Sequence, residues 1–165
     1  MNIAISGTPG VGKTTIAKLL GKKLNLKVIN EKDFALKKGI GSFNEMDELE
    51  IPIDEFEKTA NALLLKEGNI IFEGHLLCEM KLKVDKFIVL TLDPEKLQLR
   101  LELRNYSAEK VQANVEVEML GGPWGELLDD IRPVFEGIDG VQEWIKAGCP
   151  QHTTPELAID WLSQP

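Results

Sequence analysis

The most constraining feature of the chain is the segment at residues 7–14, which reads GTPGVGKT. Its spacing, G-x-x-x-x-G-K-T, is that of a phosphate-binding P-loop. Residues 1–6 before it form a short apolar run typical of a buried strand, and residues 15–24 after it carry apolar side chains at helical spacing. In such a loop Lys13 reaches the β- and γ-phosphates, and Thr14 offers its hydroxyl to Mg²⁺. The segment therefore predicts a site for ATP or a similar triphosphate, rather than a plain glycine-rich turn.

Length and charge limit the remaining possibilities. The chain has 165 residues, which suits a single domain spanning residues 1–165. Its net charge of −8 argues against a general nucleic-acid surface, which needs a basic field. Cys78 and Cys149 are far apart and are expected to be reduced thiols. No apolar run approaches the roughly 18 residues that span a membrane, and residues 1–6 lack a secretory pattern, so we expect a cytoplasmic protein with no membrane contact.

Strand-like and helix-like segments alternate along the chain. The apolar runs at residues 69–72 and 87–92 are typical of buried parallel strands, and a final strand is expected within residues 141–147. A last helix is expected at residues 153–162. This alternation predicts an α/β fold of the P-loop NTPase class: a three-layer sandwich in which helices cover both faces of a five-stranded parallel sheet, with a small lid.

Several helix starts carry capping signals. Asp93, followed by a proline, predicts one helix, and Ser107 predicts the next. Asp54, with Glu57 three residues later, predicts a capped start near residue 54.

Glu73 and His75 follow the strand at residues 69–72. In P-loop folds the end of this strand lies beside the phosphates, where an acid can hold Mg²⁺ directly or through water. Glu73 is therefore a candidate metal ligand, and His75 could orient water or a phosphate. The alternatives are a solvated acid at a strand end and a histidine with only local hydrogen bonds.

Arg100 and Arg104 are four residues apart and so share one helix face. Phosphoryl transfer needs cations that close over the γ-phosphate, and these two are candidates. A solvated face of salt bridges with neighbouring acids such as Glu102 is equally consistent with the spacing.

An acidic stretch at residues 45–57 contains seven acids and no base. Such a stretch is most often a solvated surface, but it lies where nucleoside monophosphate kinases bind their acceptor. The three tryptophans, Trp124, Trp144 and Trp161, are either core residues or an exposed partner patch, and we expect at least two in the core.

Together these segments resemble the adenylate kinase isoenzyme 6 type, a family of adenylate-kinase-like ATPases linked to small-ribosomal-subunit maturation in the P-loop nucleoside monophosphate kinase superfamily. The resemblance covers residues 1 to about 120. It rests on the loop at 7–15, the segment at 31–35, the strand ending at 73–75, the arginine-containing turn at 100–107, and Asn114 with Glu116 and Glu118.

The resemblance implies phosphorylation of AMP or another nucleoside monophosphate, ATPase activity, dependence on Mg²⁺, and a partner in the ribosomal protein uS11 family. It implies an acceptor-binding segment at about residues 30–54 and a lid at about residues 104–114. Glu73 and His75 stand where the family has Asp-x-His, and Arg104 stands at the lid arginine. The residues that would cradle the triphosphate are Gly10, Val11, Gly12, Lys13, Thr14 and Thr15, with Arg100 and Arg104 from the lid side.

Two departures from the family pattern are visible. Glu73 replaces the usual aspartate, which moves the carboxylate by about one bond and can turn a direct metal contact into a displaced one. Asn105 replaces the usual glycine of the lid turn, a mild change because asparagine tolerates a left-handed backbone.

The sequence thus predicts a Mg²⁺-dependent kinase that moves the γ-phosphoryl of ATP to AMP, with Lys13, Arg104, Glu73 and His75 as the catalytic set. Two alternatives stay open. One is a kinase for a small metabolite or another nucleoside or nucleotide. The other is a nucleotide-gated assembly factor that acts mainly as an ATPase.

Overall fold

The computed structural model describes residues 1–121, 134–136, 141, 143, 144, 146 and 147. Its strands are β1 (Ile3–Ser6), β2 (Lys27–Asn30), β3 (Ser42–Phe43), β4 (Leu49–Glu50), β5 (Ile70–Glu73), β6 (Lys86–Thr91) and β7 (Val134–Glu136). Its helices are α1 (Lys13–Leu24), α2 (Glu31–Lys38), α3 (Ile53–Glu67), α4 (Pro94–Leu103) and α5 (Ala108–Met119), with a 3₁₀ turn at Leu76–Glu79.

Four strands form the body of the main sheet in the order β2-β5-β1-β6, and all of them are parallel. The predicted α/β fold with a parallel sheet is therefore confirmed, with four strands in the body of the sheet. The three-residue β7 adds to it only at the outer edge, where it pairs in parallel with β6. A separate two-stranded hairpin, β3-β4, stands apart from this sheet.

The main sheet separates two apolar cores, because successive residues of a strand point to opposite faces. On one face, Phe72 packs edge-to-face with Phe34 of α2 and with Phe56 of α3. On the other, Ile3 and Ile5 join side chains of α1, α4 and α5. Helices therefore cover both faces of the sheet, as expected.

The capping signals were right at two of the three helix starts. Asp93 accepts hydrogen bonds from the backbone N–H groups of Glu95, at 2.9 Å, and Lys96. Ser107 accepts one from the N–H of Lys110 at 3.3 Å. The capping box was wrong: α3 begins at Ile53 after Pro52, and Glu57 instead accepts from the N–H of Lys81 at 2.8 Å.

The placement of the final strand was also wrong. Positions 141, 143, 144 and 146 are helical, and the N–H of Ala147 donates to the carbonyl of Glu143 at 2.9 Å. Val141 and Trp144 are three residues apart and both buried, so a helix places them on one face against the core. The edge strand is instead Val134–Glu136, which is too short to give a readable pattern.

Other expectations fall partly outside the described residues. Trp144 is a core residue as expected, whereas Trp124, Trp161, Cys149 and the helix expected at 153–162 lie outside. Within the described part of the chain, none of the helices combines the length and apolar character that crossing a bilayer would require.

Candidate nucleotide-binding site

The loop between β1 and α1 has the wrapped backbone that a phosphate site requires. Gly7 has a φ of 150°, and a Cβ at this position would lie 2.5 Å from the carbonyl oxygen of Leu90, so a side chain does not fit. Gly12, with a φ of 109°, precedes α1 and supplies no side-chain cap. The first N–H groups of α1 and the positive end of its dipole therefore face the space enclosed by the loop.

Lys13 folds back across this loop. Its Nζ donates to the carbonyl of Gly7 at 2.6 Å and to that of Thr8 at 3.0 Å. Burial lowers the pKa of Lys13 to about 8, and the carboxylates of Glu31, Glu73 and Glu118 oppose that shift, with a smaller contribution from Cys78. A cation is thus held at the loop, where the phosphates of a nucleotide would lie.

Glu73 is the last residue of β5, and only 2% of its surface is exposed. Its Oε1 accepts from the hydroxyl of Thr14 at 3.0 Å and from Nδ2 of Asn30 at 2.8 Å. The alternative of a solvated strand-end acid is therefore wrong. The carboxyl ends of β2 and β5 and the start of α1 meet at this one side chain.

The pair formed by Thr14 and Glu73 fits a magnesium ion in its donor chemistry, because Mg²⁺ prefers hard oxygen ligands. No group of three or more His, Cys, Asp and Glu side chains is placed to hold a metal in the part of the chain that the structure describes. Two protein oxygens are what a Mg²⁺ site of this class needs, since substrate phosphates and water complete its coordination.

Both candidate arginines lie near the loop. Nη1 of Arg100, on α4, donates to the carbonyls of Gly10, at 3.4 Å, and Val11, at 3.3 Å. Arg104, which directly follows α4, lines the cavity of about 270 Å³ formed by the phosphate loop. The next residue, Asn105, has a left-handed φ of 56°, which confirms the conformation expected at the lid turn.

The role of Glu31 was missed in the sequence. This first residue of α2 is 3% exposed, and its carboxylate accepts from the N–H groups of His75, at 2.9 Å, and Leu76, at 3.0 Å. It also contacts Nδ1 of His75 at 2.6 Å. Because a carboxylate only accepts hydrogen bonds, Nδ1 is the donor in this contact, and Nε2 of the half-exposed ring takes no part in it. A lone acid at a helix start gives no signal of such pairing, because its partners are 44 and 45 residues away.

A second, larger cavity of about 720 Å³ adjoins the first. The β3-β4 hairpin contributes Asp47, Glu48 and Leu49 to its wall, and α5 contributes Lys110, Asn114 and Val117. The side chains that line both cavities are Pro9, Glu31, Lys32 and His75. Of the acids at 45–57, only Asp47 and Glu48 reach this cavity, and most of the stretch is exposed surface.

One ion pair joins the hairpin to α5. Nζ of Lys110 donates to Oε1 of Glu48 at 2.7 Å, and the same ammonium lies 5.1 Å from the centre of the Tyr106 ring. The hydrogen bond raises the pKa of Lys110 and lowers that of Glu48. Because both side chains are about half exposed, water screens this pair, so it can open at little energetic cost.

The Glu31 arrangement requires glycine at position 74. A Cβ on Gly74 would overlap the Glu31 carboxylate. We expect Gly74→Ala to lower the free energy of unfolding by about 2–3 kcal/mol, the cost typical of overpacking, as measured by chemical denaturation. Gly39→Ala is the control: its Cβ meets no atom within 4 Å, so only the cost of a left-handed alanine, about 1 kcal/mol, applies. Equal losses in the two variants would contradict the packing described here.

The lowered pKa of Lys13 has a consequence for pH dependence. The side chain is charged below about pH 8 and neutral above it. We therefore expect the affinity for Mg·ATP, measured by calorimetry, to be level below about pH 7 and to fall toward tenfold per pH unit above about pH 8. Lys13→Arg keeps its charge and should lack this alkaline decline. A wild-type affinity that stays level up to about pH 10 would contradict the assignment.

Comparison with known proteins identifies the family. Residues 3–121 match the family described as "AAA domain". A Thermococcus kodakarensis protein named "Putative adenylate kinase" is 44% identical, over 82% of this chain and 75% of the relative. A protein of the same name from Methanocaldococcus jannaschii is 40% identical, over 73% of this chain and 68% of the relative.

Solved structures share the fold at much lower identity. The shikimate kinase of Acinetobacter baumannii has a TM-score of 0.62 at 14% identity, covering 89% of this chain and 93% of that one. A gluconokinase from Sinorhizobium meliloti has a TM-score of 0.55 at 13% identity, covering 88% of this chain and 87% of that one. The two proteins named "Putative adenylate kinase" are 40–44% identical to this chain, whereas the two solved structures are 13–14% identical. The chain therefore belongs to the adenylate-kinase-like family of P-loop proteins that the two more similar proteins represent.

Proposed function

We propose that the protein transfers the γ-phosphoryl group of ATP to AMP or a similar nucleoside monophosphate, in a Mg²⁺-dependent reaction. The observation that carries this proposal is the pair of adjoining cavities. One lies in the phosphate loop, and the other, of about 720 Å³, is large enough for a nucleotide. Because Pro9, Glu31, Lys32 and His75 line both, a donor in one cavity and an acceptor in the other would meet at this shared wall.

The chemistry requires positioning and charge more than acid–base catalysis. A phosphate oxygen of AMP attacks the γ-phosphorus, the bond to the β–γ bridging oxygen breaks, and two ADP molecules form. Lys13 would neutralise charge on the β- and γ-phosphates, and Arg104, together with Arg100, would complete the cationic cage. Thr14 and Glu73 would hold Mg²⁺, which supplies charge neutralisation on the phosphate oxygens when bound. Without an acceptor, water would take its place and the same site would act as an ATPase.

His75 would orient the group that enters. Its ring is fixed through Nδ1 by Glu31, and it lines both cavities. Nε2 could therefore accept a hydrogen bond from an attacking water or, in a ring protonated at both nitrogens, donate one to a phosphate oxygen. This role agrees with the place of His75 in the family pattern. It would also give a function to the contact between the His75 ring and the buried Glu31 carboxylate.

Lys32 is a cation of the shared wall that the sequence did not single out. We propose that it binds the phosphate of the acceptor, because Lys32 lies on the wall shared by both cavities, where the reacting phosphates would meet, whereas Lys110 lines only the larger cavity. Lys32→Ala should raise the KM for AMP roughly tenfold or more, the loss typical of a charged hydrogen bond, with a smaller effect on the KM for ATP. Lys37→Ala is the matched control, since this exposed lysine of the same helix lines neither cavity. Equal KM values for AMP in the wild type and Lys32→Ala would refute this role.

A second candidate is a nucleotide-gated assembly factor linked to small-ribosomal-subunit maturation, with the uS11 ribosomal protein as partner. The exposed acidic stretch at 45–57 and the net charge of −8 favour it, because a basic ribosomal protein is complementary to such a surface. Hydrolysis of ATP would then be the release step. The test is a pull-down of uS11 by the protein loaded with ATP, loaded with ADP or free of nucleotide. Binding that changes with the nucleotide supports this function, and no binding in any of the three states argues against it.

The test of the main proposal follows ADP formation from Mg·ATP with and without AMP, together with the loss of AMP. We expect AMP to be consumed one for one with ATP, giving two ADP, and Lys13→Ala to abolish the reaction in a folded protein. ADP formation with AMP untouched would contradict the kinase proposal and favour the assembly factor. CMP, dAMP and small alcohols tested in parallel separate a nucleotide kinase from a kinase of small metabolites.

A further inference from the structure

Glu118 is a buried carboxylate for which the proposed reaction has no direct use. It lies in the last turn of α5 and is only 2% exposed. A negative charge at this end of a helix is opposed by the helix dipole, and burial of a carboxylate is costly unless it is hydrogen-bonded. Its place in the structure therefore depends on the donors that surround it.

Three donors from two other segments meet this carboxylate. The hydroxyl of Thr8, in the phosphate loop, donates to Oε2. The hydroxyl of Thr91 donates to Oε1, as does the backbone N–H of Leu92 at 2.9 Å. Glu118 thus joins α5 to the phosphate loop on one side and to the carboxyl end of β6 on the other.

Thr8 connects Glu118 to Lys13, because it contacts both side chains. Thr8 itself is 1% exposed, so its side chain has little room to turn. Its carbonyl accepts from Nζ of Lys13 at 3.0 Å and from the N–H of Val11 at 3.3 Å. The bond from Glu118 to the Thr8 hydroxyl therefore holds the same residue whose carbonyl positions Lys13 and closes the first turn of the loop.

We infer that Glu118 is a positioning residue for the phosphate loop, acting through Thr8 on Lys13, so that the affinity for ATP depends on the last turn of α5. This inference rests on the proposed function only in its use of ATP and is independent of the acceptor. The same helix lines the acceptor cavity with Lys110, Asn114 and Val117. The competing role is purely structural, in which Glu118 only fastens α5 to β6.

Substitutions at the two ends of the contact separate these roles. Glu118→Gln keeps the volume and removes the charge, and Thr8→Val removes the hydroxyl at nearly constant shape. We expect each to weaken Mg·ATP binding about tenfold by calorimetry, the loss typical of a charge-assisted hydrogen bond. Thr8→Ser, which restores the hydroxyl, should recover most of the affinity lost in Thr8→Val.

The double variant tests whether the two residues act on one another. If Glu118 acts through Thr8, Glu118→Gln combined with Thr8→Val should bind Mg·ATP about as well as either single variant, because both remove the same interaction. Independent effects would instead multiply to about a hundredfold loss. The Thr8→Val and Thr8→Ser pair keeps the test valid even if Glu118→Gln fails to fold.

Two controls isolate the structural contribution. Thr91→Val removes one of the two hydrogen bonds between Glu118 and the carboxyl end of β6, and it should lower the melting temperature while changing the Kd for Mg·ATP by less than about threefold. Glu116→Gln makes the same charge change at an exposed position two residues away on the same helix and should alter neither quantity.

The proposal is overturned if Glu118→Gln lowers only the melting temperature, if the double variant shows multiplied losses, or if Thr8→Ser fails to recover affinity. A wild type that does not bind Mg·ATP overturns it as well. A wild type that binds Mg·ATP but leaves AMP untouched contradicts the proposed function alone, and the inference about Glu118 stands.

Discussion

The structure depends on burying three glutamates around one lysine at the carboxyl edge of the sheet. Glu31, Glu73 and Glu118 are each at most 3% exposed, and all three carboxylates favour the charged form of Lys13. A buried carboxylate costs several kcal/mol unless donors satisfy it, so each must be surrounded by hydrogen-bond donors. Those donors come from segments far apart in the chain. Satisfying the three charges therefore brings the phosphate loop, the strand ends and the starts or ends of helices into one arrangement.

Each carboxylate orders a different part of the site. Glu73 joins the helix that follows the phosphate loop to the end of β2 through Thr14 and Asn30. Glu31 orients His75 and accepts from the N–H of Leu76, the first residue of the 3₁₀ turn. Only glycine at position 74 leaves room for the Glu31 side chain. A phosphate group entering the loop brings negative charge toward Lys13, which the surrounding carboxylates have kept protonated against the effect of burial. Stability and phosphate binding thus share the same residues, and a substitution at this edge should affect both.

Much of this could be read from the sequence because the signals are local. The phosphate loop, the caps Asp93 and Ser107 and the left-handed Asn105 each depend on a few neighbouring residues, and the structure has them as expected. The strand ending in Glu73 was placed correctly, since apolar runs mark buried parallel strands. The failures concern long-range contacts. Glu31 and Glu118 carry no local signal of burial, because their partners are distant in sequence, and Val141 and Trp144 gave a strand-like segment that packing makes helical.

We propose that the two adjoining cavities are the donor and acceptor subsites of one phosphoryl-transfer path. The most direct measurement is the binding of a bisubstrate compound, two adenosines joined through five phosphates, in the presence of Mg²⁺. We expect one molecule bound per chain, more tightly than ATP or AMP alone, with both nucleotides excluded from the complex, because linking two ligands makes the second binding event intramolecular. Binding no tighter than that of ATP, with AMP still able to bind, would show that the cavities do not form a single path and would contradict the account.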